Sequence, residues 1–446
     1  MQTSRRKGIW GWMFFDWASQ PFHTLIITFI FAPYFAATVA DNPVQGQAMW
    51  GWAVTAGALL VAVMAPILGA IADQSGPRKP WVFGFSVLYV IGSFSLWWAA
   101  PGMDNVTLIL IAFVIGLVGV EFTTVFTNSM LPSLGNKEEI GRISGSGWAM
   151  GYWGGVLALF IVLLLMVPAG DSGLTLIGLT PIFGLDPALG EGARATGPMT
   201  AIWYVVFILP FFFWTPDVKR APLRAGAVKE GLNQLKATLV SLPGRKSLFA
   251  YLMSSMFYRD ALNGLYAFGG IYAAGVLGWQ TFELGIFGII AAITGAIGAW
   301  IGGRADVALG PKPVIVFCIL ALIFGSCLTI STGPDEALFM ALEPGSGLPT
   351  IVFFVCGGII GAAGGSLQSA SRTMLVRQAE EGRMAEAFGI YALAGKATSF
   401  IAPFMIGVMT VSFDSQRIGV TPVVGLFAIG LVLMIWVNRD GEGKQP

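Results

Sequence analysis

The sequence predicts an all-α membrane protein with twelve transmembrane helices in two homologous six-helix halves. Hydrophobic residues make up 55% of the 446 residues and charged residues only 11%, whereas a soluble domain carries about 25% charged residues. Apolar segments recur along the whole chain at the length of about 20 residues that a bilayer requires. A short charged motif occurs twice, at 69–79 (GAIADQSGPRK) and 302–312 (GGRADVALGPK).

Twelve apolar segments are predicted as membrane spans and are numbered in chain order. Spans 1 to 6 cover 10–40, 48–72, 80–100, 105–132, 143–167 and 199–216. Spans 7 to 12 cover 248–276, 281–305, 313–332, 350–376, 385–411 and 420–438. The first apolar run follows a basic N-terminus and shows no small-residue cleavage site after a short core, so we expect it to be a span and not a signal peptide.

Basic residues are distributed very unevenly between the loops on the two sides. Of the 25 lysines and arginines, 20 fall in the loops and termini on the side of the N-terminus, and only Arg194 and Arg417 fall in the opposite loops. The remaining three, Arg259, Arg372 and Lys396, lie inside spans. Cytoplasmic loops of membrane proteins are enriched in lysine and arginine, so both termini are predicted to be cytoplasmic.

The long basic connection between spans 6 and 7 divides the chain. We expect an N-terminal half at 1–216, a cytoplasmic linker at 217–247 and a C-terminal half at 248–446. Residues 228–242 have the pattern of an amphipathic helix. Two interpretations stay open, a coupler between the halves and a tether to anionic lipid.

The two halves resemble each other beyond the charged motif. Matching residues recur in the same order, 233 to 244 positions apart. The matched pairs are Asp16 and Asp260, Met130 and Met374, Gly141 and Gly382, and Asp73 and Asp306. Parallel repeats of this kind build one large class of transporters.

Composition and motifs exclude several functions. The net charge of +1 argues against a nucleic-acid partner. One histidine and three cysteines do not predict a multi-ligand zinc site, and no metal or cofactor is expected. The sequence has no glycine-rich phosphate loop beside a lysine, no H-E-x-x-H and no nucleophile–histidine pair, so we do not expect an enzyme.

The motif at 69–79 resembles the helix 2–3 signature of the major facilitator superfamily, G-x-x-x-D-x-x-G-x-R/K-K. Three further stretches, 16–22 (DWASQPF), 128–155 and 380–404, resemble the branch that contains the fungal vacuolar amino-acid effluxers and bacterial relatives. Span 7 departs from that branch, because its Tyr-x-Asp-Gly run is Tyr258-Arg259-Asp260-Ala261 in this chain.

The resemblance implies a secondary active transporter that works by alternating access on a small polar solute. Amino acids are the only substrate class that it suggests. The alternative is a transporter-fold receptor or assembly factor that does not transport. The expected partners are a small-molecule substrate, protons as a coupling ion, and membrane lipid, in a bacterial inner membrane.

The resemblance also implies that spans 1, 4, 7 and 10 line a central cavity. A charge in a bilayer costs roughly 2.5–3.5 kcal/mol even on lenient scales, so polar residues there are functional candidates. The candidates for substrate binding or coupling are Asp16, His23, Glu121, Arg259, Asp260, Gln368 and Arg372. Weaker polar candidates are Gln20, Asn128, Asn263 and Tyr266.

Glu121 leads this group, because a desolvated carboxylate can take a proton near neutral pH. The alternative is a structural ion pair with Arg259 or Arg372. Arg259 suits a substrate carboxylate, or else pairs with an acid. Asp16 is expected nearer the cytoplasmic end as a gate residue, and His23, the sole histidine, either titrates or serves as a hydrogen-bonding group.

A second set of residues is predicted to gate the cytoplasmic side. The set is Gly69, Asp73, Arg78, Lys79, Arg142, Asp306 and Lys396. Asp73 is expected beside the positive N-terminus of span 11, near Ala385, where a carboxylate is stabilising. Arg142 is the expected partner of Asp73, and Asp306 is expected to act similarly against span 5. The alternative is a passive topology loop.

Overall fold

The computed structural model describes residues 2–169, 173–218, 227–279 and 281–441. Its first membrane helix, α1, runs from Gln2–Pro21 through Phe22–Phe29, Phe31–Tyr34 and Phe35–Val39. The first half continues with α2 (Pro43–Ser75), α3 (Lys79–Ser95), α4 (Thr107–Ser129), α5 (Lys137–Leu165) and α6 (Thr196–Trp214). The second half has α7 (Lys246–Leu277), α8 (Thr281–Leu309), α9 (Pro311–Ile330), α10 (Leu348–Gln378), α11 (Met384–Ala397 and Ile401–Phe413) and α12 (Pro422–Leu433).

Short elements fill the connections. They are the helices Glu191–Arg194 and Gln416–Gly419, 3-10 turns at Leu96–Trp98, Leu131–Ser133, Ile182–Gly184, Leu242–Gly244 and Met434–Trp436, and a hairpin of Glu336–Ala337 with Met340–Ala341. The linker helix is Ala227–Ser241. Linker residues 219–226 lie outside the described residues.

Twelve membrane helices in two halves are confirmed. Within the described residues, eleven helices are long and apolar enough to span a bilayer. The twelfth, α7, has 32 residues and carries Arg259 and Asp260, which lower its mean hydropathy. We call the end of the bundle with the α2–α3, α4–α5, α8–α9 and α10–α11 connections the base, and the opposite end the mouth.

Proline bends the first helix beside the cluster of charges described below. Pro21 has no N–H and cannot donate to the carbonyl of Trp17, four residues earlier. The indole Nε1 of Trp203 on α6 donates to that carbonyl at 3.1 Å, and the two tryptophan rings stack at 5.8 Å. The helix then continues in wider π turns from Phe22 to Phe29, a departure that often marks a functional position.

The repeat in the sequence is visible in the packing of the two copies of the motif. Lys79 Nζ donates to the carbonyl of Phe212 at the end of α6, at 2.8 Å. Its counterpart Lys312 donates to the carbonyl of Val437 after α12, at 2.7 Å. Each lysine therefore ties the start of the third helix of its half to the end of the sixth.

The two halves contact each other closely at the base. A Cβ atom on Gly69 of α2 would collide with the carbonyl of Ala385 on α11, and one on Gly389 with the carbonyl of Ala65. In α5 and α8, a Cβ on Gly303 would lie 2.6 Å from the carbonyl of Gly141. By contrast, nothing lies within 4 Å of Gly51 in the mouth half of α2, so the conformation is closed at the base.

The linker helix lies across this closed base. Gln74 at the end of α2 donates to Gln234 at 2.6 Å, and Gly231 packs on the carbonyl of Ala70. On the other half, Arg383 before α11 donates to the carbonyl of Gln234 at 3.3 Å. A helix at Ala227–Ser241 thus stands where the sequence predicts one at 228–242, and it contacts both halves, while its role as coupler or tether stays a prediction.

The close approach of α2 and α11 gives a direct prediction. Gly69→Ala should destabilise the base-closed state by about 1–3 kcal/mol, because an extra methyl group in a packed contact forces backbone shifts. Gly51→Ala, on the same helix with open space around it, should be neutral or stabilising by about 0.5–1 kcal/mol. Thermal unfolding in detergent compares the two, and equal melting temperatures would show that this contact does not limit stability.

Candidate functional site

An ion pair joins the two halves in the middle of the bundle. Lys396 Nζ on α11 donates to Glu121 Oε1 on α4 at 2.9 Å. The side chains stay partly accessible, 25% for Lys396 and 20% for Glu121. The alternative of a direct Glu121 ion pair with Arg259 or Arg372 is therefore wrong in its partner, because the cation in contact with this carboxylate is Lys396 of α11.

Two further titratable groups complete this cluster. His23 and Arg259 both interact electrostatically with Glu121. The Arg259 guanidinium stacks on the Tyr391 ring at 4.2 Å and donates to the Tyr391 carbonyl at 3.1 Å. A Cβ on Gly395 would collide with this guanidinium, so the glycine beside Lys396 makes room for it. We call Glu121, Lys396, His23 and Arg259 the central cluster.

Asp260 points to a different place from its neighbour Arg259. Adjacent helical residues project about 100° apart, and the Asp260 carboxylate accepts a hydrogen bond from the N–H of Ala402 at 2.9 Å. Ala402 lies in the first turn of the outer segment of α11, after the break between Ala397 and Ile401. Asp260 thus caps the outer segment of α11, and Lys396 lies just before the break.

Arg372 on α10 is held by acceptors from the opposite half. Its Nη1 donates to Asp16 Oδ2 at 3.1 Å and to Asn128 Oδ1 at 3.0 Å. Its Nε donates to Ser144 Oγ at 3.1 Å, and its Nη2 to the Ser144 carbonyl at 2.8 Å. The side chain is buried, and α1, α4 and α5 each contribute an acceptor.

Aromatic rings enclose the same guanidinium. The rings of Trp12 and Trp148 lie 5.0 and 5.2 Å from Arg372 Cζ, within the range of a cation–π contact. Gln368 is half-buried one turn earlier on α10. Arg372 and Asp16 therefore form an inter-half lock in this conformation, and a role for either in substrate binding stays a prediction.

The predicted contact between Asp73 and α11 is present. The two carboxylate oxygens of Asp73 accept from the N–H groups of Ala385 at 3.2 Å and Glu386 at 2.8 Å. Those N–H groups belong to the first turn of α11, which has no intrahelical acceptors for them. The gating role that this contact suggests stays a prediction.

The expected pairing of Asp73 with Arg142 is wrong. The carboxylate pairs with Arg78 instead, because Gly76, with φ +88°, turns the chain back toward the end of α2. Arg142 is 57% exposed and its nearest carboxylate in the described chain is Glu139, at 3.9 Å.

Asp306 packs against α5 as expected. A Cβ on Gly141 of α5 would lie 2.7 Å from Asp306 Cγ, and Asp306 is 1% exposed. Neither of its carboxylate oxygens has a hydrogen-bond partner in the described part of the chain. Asp306 therefore contacts α5 by packing, whereas Asp73 accepts hydrogen bonds from the first turn of α11.

Several contributors to these sites carry little signal in the sequence. Ser144 and Trp148 look like packing residues of a glycine-rich span, and Tyr391 looks like an interfacial aromatic. Asn128 lies 244 positions before Arg372. This is the offset of the internal repeat, so the two residues occupy equivalent positions in the two halves. Within the described residues, no group of three or more His, Cys, Asp or Glu side chains is placed to hold a metal ion.

Comparison with known proteins agrees with this architecture. A family model described as vacuole effluxer Atg22 like matches residues 48–445. The uncharacterised MFS-type transporter YxiO of Bacillus subtilis is 22% identical over 437 residues, covering 96% of this chain and 94% of that protein. Autophagy-related protein 22-1 of Neosartorya fischeri is 21% identical over 321 residues, covering 68% of this chain and 49% of that protein.

Solved structures show the same fold. The proton:xylose symporter XylE aligns with a TM-score of 0.69 and 14% identity, covering 97% of this chain and 94% of that chain. The Escherichia coli fucose:proton symporter FucP aligns with a TM-score of 0.66 and 13% identity, covering 96% of this chain and 98% of that chain. At this identity the likeness concerns the fold alone.

The Arg372 lock can be tested with distances across the base. Spin labels on cysteines replacing Glu138 and Glu381, with the exposed Cys327 changed to Ser, report separation of the halves. Arg372→Lys keeps the charge but cannot reach three acceptors at once. Since a hydrogen bond to a charged group contributes about 1.5–3 kcal/mol, the base-open population should rise roughly tenfold or more.

The matched control is Arg377→Lys on the same helix. Arg377 Nη1 lies 3.5 Å from Asp440, an exposed carboxylate, and such surface pairs contribute about 0–1 kcal/mol. Its distance distribution should match that of the unmodified chain. If both variants open the base equally, the acceptors around Arg372 do not form a lock.

Proposed function

Since the chain belongs to the vacuole effluxer Atg22-like family of the major facilitator superfamily, we propose that it is a secondary active transporter that carries amino acids by alternating access. The central cluster is the observation that supports this substrate class. It presents one carboxylate, Glu121, and two cations, Lys396 and Arg259, within one accessible region. An amino acid carries the complementary pair of charges.

The contacts suggest how a zwitterion would bind. Its ammonium group would take the position of Lys396 Nζ beside Glu121, and its carboxylate would accept from Lys396 and from the planar donor fork of Arg259. Every buried charge then keeps a partner, which matters because an unpaired buried charge is costly. A lone amine would compete with Lys396 for Glu121 and bring no anion to the cations, and a lone carboxylate would meet Arg259 but bring no new partner to Glu121.

The base contacts supply the gate in this proposal. Opening the base requires that the Asp73 carboxylate leave the N-terminus of α11 and that Arg372 leave Asp16. Arg78 stays with Asp73 on the first half, because both belong to the end of α2 and its following turn. Gly69 allows the approach of α11, and Lys79 anchors α3.

Protons are the proposed coupling ion. Protonation of Glu121 would remove the charge that holds Lys396, and His23 is close enough to interact electrostatically with Glu121. The proton symporters for xylose and fucose among the structural neighbours share only the fold with this chain. The support for coupling here is therefore the accessible carboxylate itself.

The base is proposed to face the cytoplasm of a bacterial cell, with the chain in the inner membrane. The support is the distribution of 20 of the 25 basic residues on the base side. In intact cells of the Cys327→Ser chain, a membrane-impermeant thiol reagent should label a cysteine replacing Asp104 at the mouth and spare one replacing Glu381 at the base. The reverse pattern would invert the orientation.

Binding to the purified protein tests the substrate class. A panel of amino acids is compared with the matching amines, which lack the carboxylate, and the matching carboxylic acids, which lack the amine. Thermal stabilisation by ligand should appear with an amino acid only. Glu121→Gln should weaken binding at least tenfold, which corresponds to about 1.4 kcal/mol.

Glu336→Gln is the matched control, because Glu336 pairs with Arg417 at the mouth, outside the central cluster. It should leave binding unchanged. In proteoliposomes, uptake by the unmodified chain should respond to a pH gradient, and uptake by Glu121→Gln should not. If the gradient still drives uptake in that variant, Glu121 does not carry the proton.

A receptor or assembly factor is the alternative function. It predicts binding of a solute without its accumulation in vesicles. If no amino acid stabilises the protein and none accumulates, the proposed substrate class is wrong.

A further inference from the structure

The two copies of the charged motif place their aspartates in unlike surroundings. Asp73 has a guanidinium and two backbone N–H donors. Asp306 has no hydrogen-bond partner for either oxygen within the described residues. Both carboxylates are buried at the base between the two halves. They differ in the hydrogen-bond donors that surround them.

The missing guanidinium follows from the sequence. Arg78 lies five residues after Asp73, and the residue five positions after Asp306 is Pro311. Proline has no side-chain donor and opens α9. The second copy therefore keeps the acid and the lysine of the motif but lacks the base that neutralises the acid.

The missing N–H donors follow from where the partner helix begins. α11 begins at Met384, directly after Gly382 and Arg383, so the N–H groups of its first turn are free to meet Asp73. α5 begins at Lys137 under a capping box formed by Asn136 and Glu139. At Gly141, where Asp306 packs, the helix is past its first four residues, and its N–H groups already bond within the helix.

Charged groups near Asp306 are engaged elsewhere. Arg377 on α10 is the cation that interacts with Asp306 electrostatically, and its Nη1 faces Asp440 at 3.5 Å. The Thr373 hydroxyl on α10 lies beside the Asp306 carboxylate but donates to the Ser369 carbonyl at 3.3 Å, so it is at most a shared donor. The other charged side chains described on the packed elements are Glu138, Glu139 and Arg142 on α5, Arg304 on α8, which stacks on Trp300, and Arg372 on α10, which pairs with Asp16.

A buried carboxylate without a cation or backbone N–H donor in contact is far costlier as an ion than as a neutral acid. α8 has 29 residues, or about 43 Å at 1.5 Å per residue, which is longer than the hydrocarbon core of about 30 Å. Asp306 lies three residues from its base end. When α5 and α8 separate, water at the base reaches Asp306 and can solvate the charge.

We propose that Asp306 is a proton-binding site of the base, occupied while α5 and α8 are packed together and emptied when they separate. The site goes beyond the transport cycle at the central cluster, because it takes its proton from the base side and does not depend on which solute is carried. The base-closed state holds one more proton than the base-open state. Raising the pH at the base therefore favours opening, by up to tenfold per pH unit.

The spin-label pair at positions 138 and 381 measures this dependence. In the unmodified chain on the Cys327→Ser background, the base-open population should grow as the pH is raised. In Asp306→Asn, which is neutral at every pH, the population should be independent of pH. Asp73→Asn is the matched control, since it removes the equivalent acid of the first copy and should open the base while keeping the pH slope.

Infrared spectroscopy detects the protonated carboxylic acid itself and not its effect on opening. The unmodified protein in the base-closed state should show the carbonyl stretch of a protonated carboxylic acid, and Asp306→Asn should lose part of that band. The proposal is overturned if Asp306→Asn leaves the infrared band unchanged or leaves the pH dependence of the base-open population unchanged. It is also overturned if the base-open population of the unmodified chain does not depend on pH. Amino-acid binding measured on Asp306→Asn should persist, so failure at the base is distinguishable from failure of the proposed function.

Discussion

The burial of the Arg372 guanidinium in the opposite half is the interaction on which the closed base depends. A charge removed from water is tolerated only with a full set of partners, and these come from three helices of the first half through Asp16, Asn128 and Ser144. The acceptors cannot be given up one at a time without leaving a buried charge. In the proposed cycle the base would therefore open as one event, with the glycine contacts of α2 with α11 and of α5 with α8 separating together.

The duplicated halves use one motif for two kinds of contact. Lys79 and Lys312 keep the same structural role, since each ties the third helix of its half to the end of the sixth. Asp73 and Asp306 do not, because proline stands in the second copy where the first has arginine, and α5 begins earlier relative to Asp306, so the second copy lacks the guanidinium and the backbone N–H donors that Asp73 has. One copy forms a charge–dipole contact with a helix terminus, and the other buries an acid beside only the Thr373 hydroxyl and the more distant Arg377.

The sequence predicts the helices well and the partners poorly, for a physical reason. Hydrophobic length and the bilayer together determine where spans lie, and the motif places Asp73 beside Ala385. The cation that pairs with Glu121 depends on the rotation of α11 about its axis and on the break in α11 after Ala397. Neither can be predicted from the composition of the span. Arg142 was the wrong partner for Asp73 because the turn at Gly76 lets a residue of the same loop reach the carboxylate first.

The inner segment of α11 connects the central cluster to the base. Its first turn receives the Asp73 carboxylate, and its last residues include Lys396, which holds Glu121. The segment has 14 residues, or about 21 Å of continuous helix, and moves as a rigid body between those two contacts. Because Asp260 caps the outer segment separately, the break between Ala397 and Ile401 lets the inner segment move alone. In the proposed function, a solute that displaces Lys396 from Glu121 would therefore act on the same helix segment that the base contacts hold.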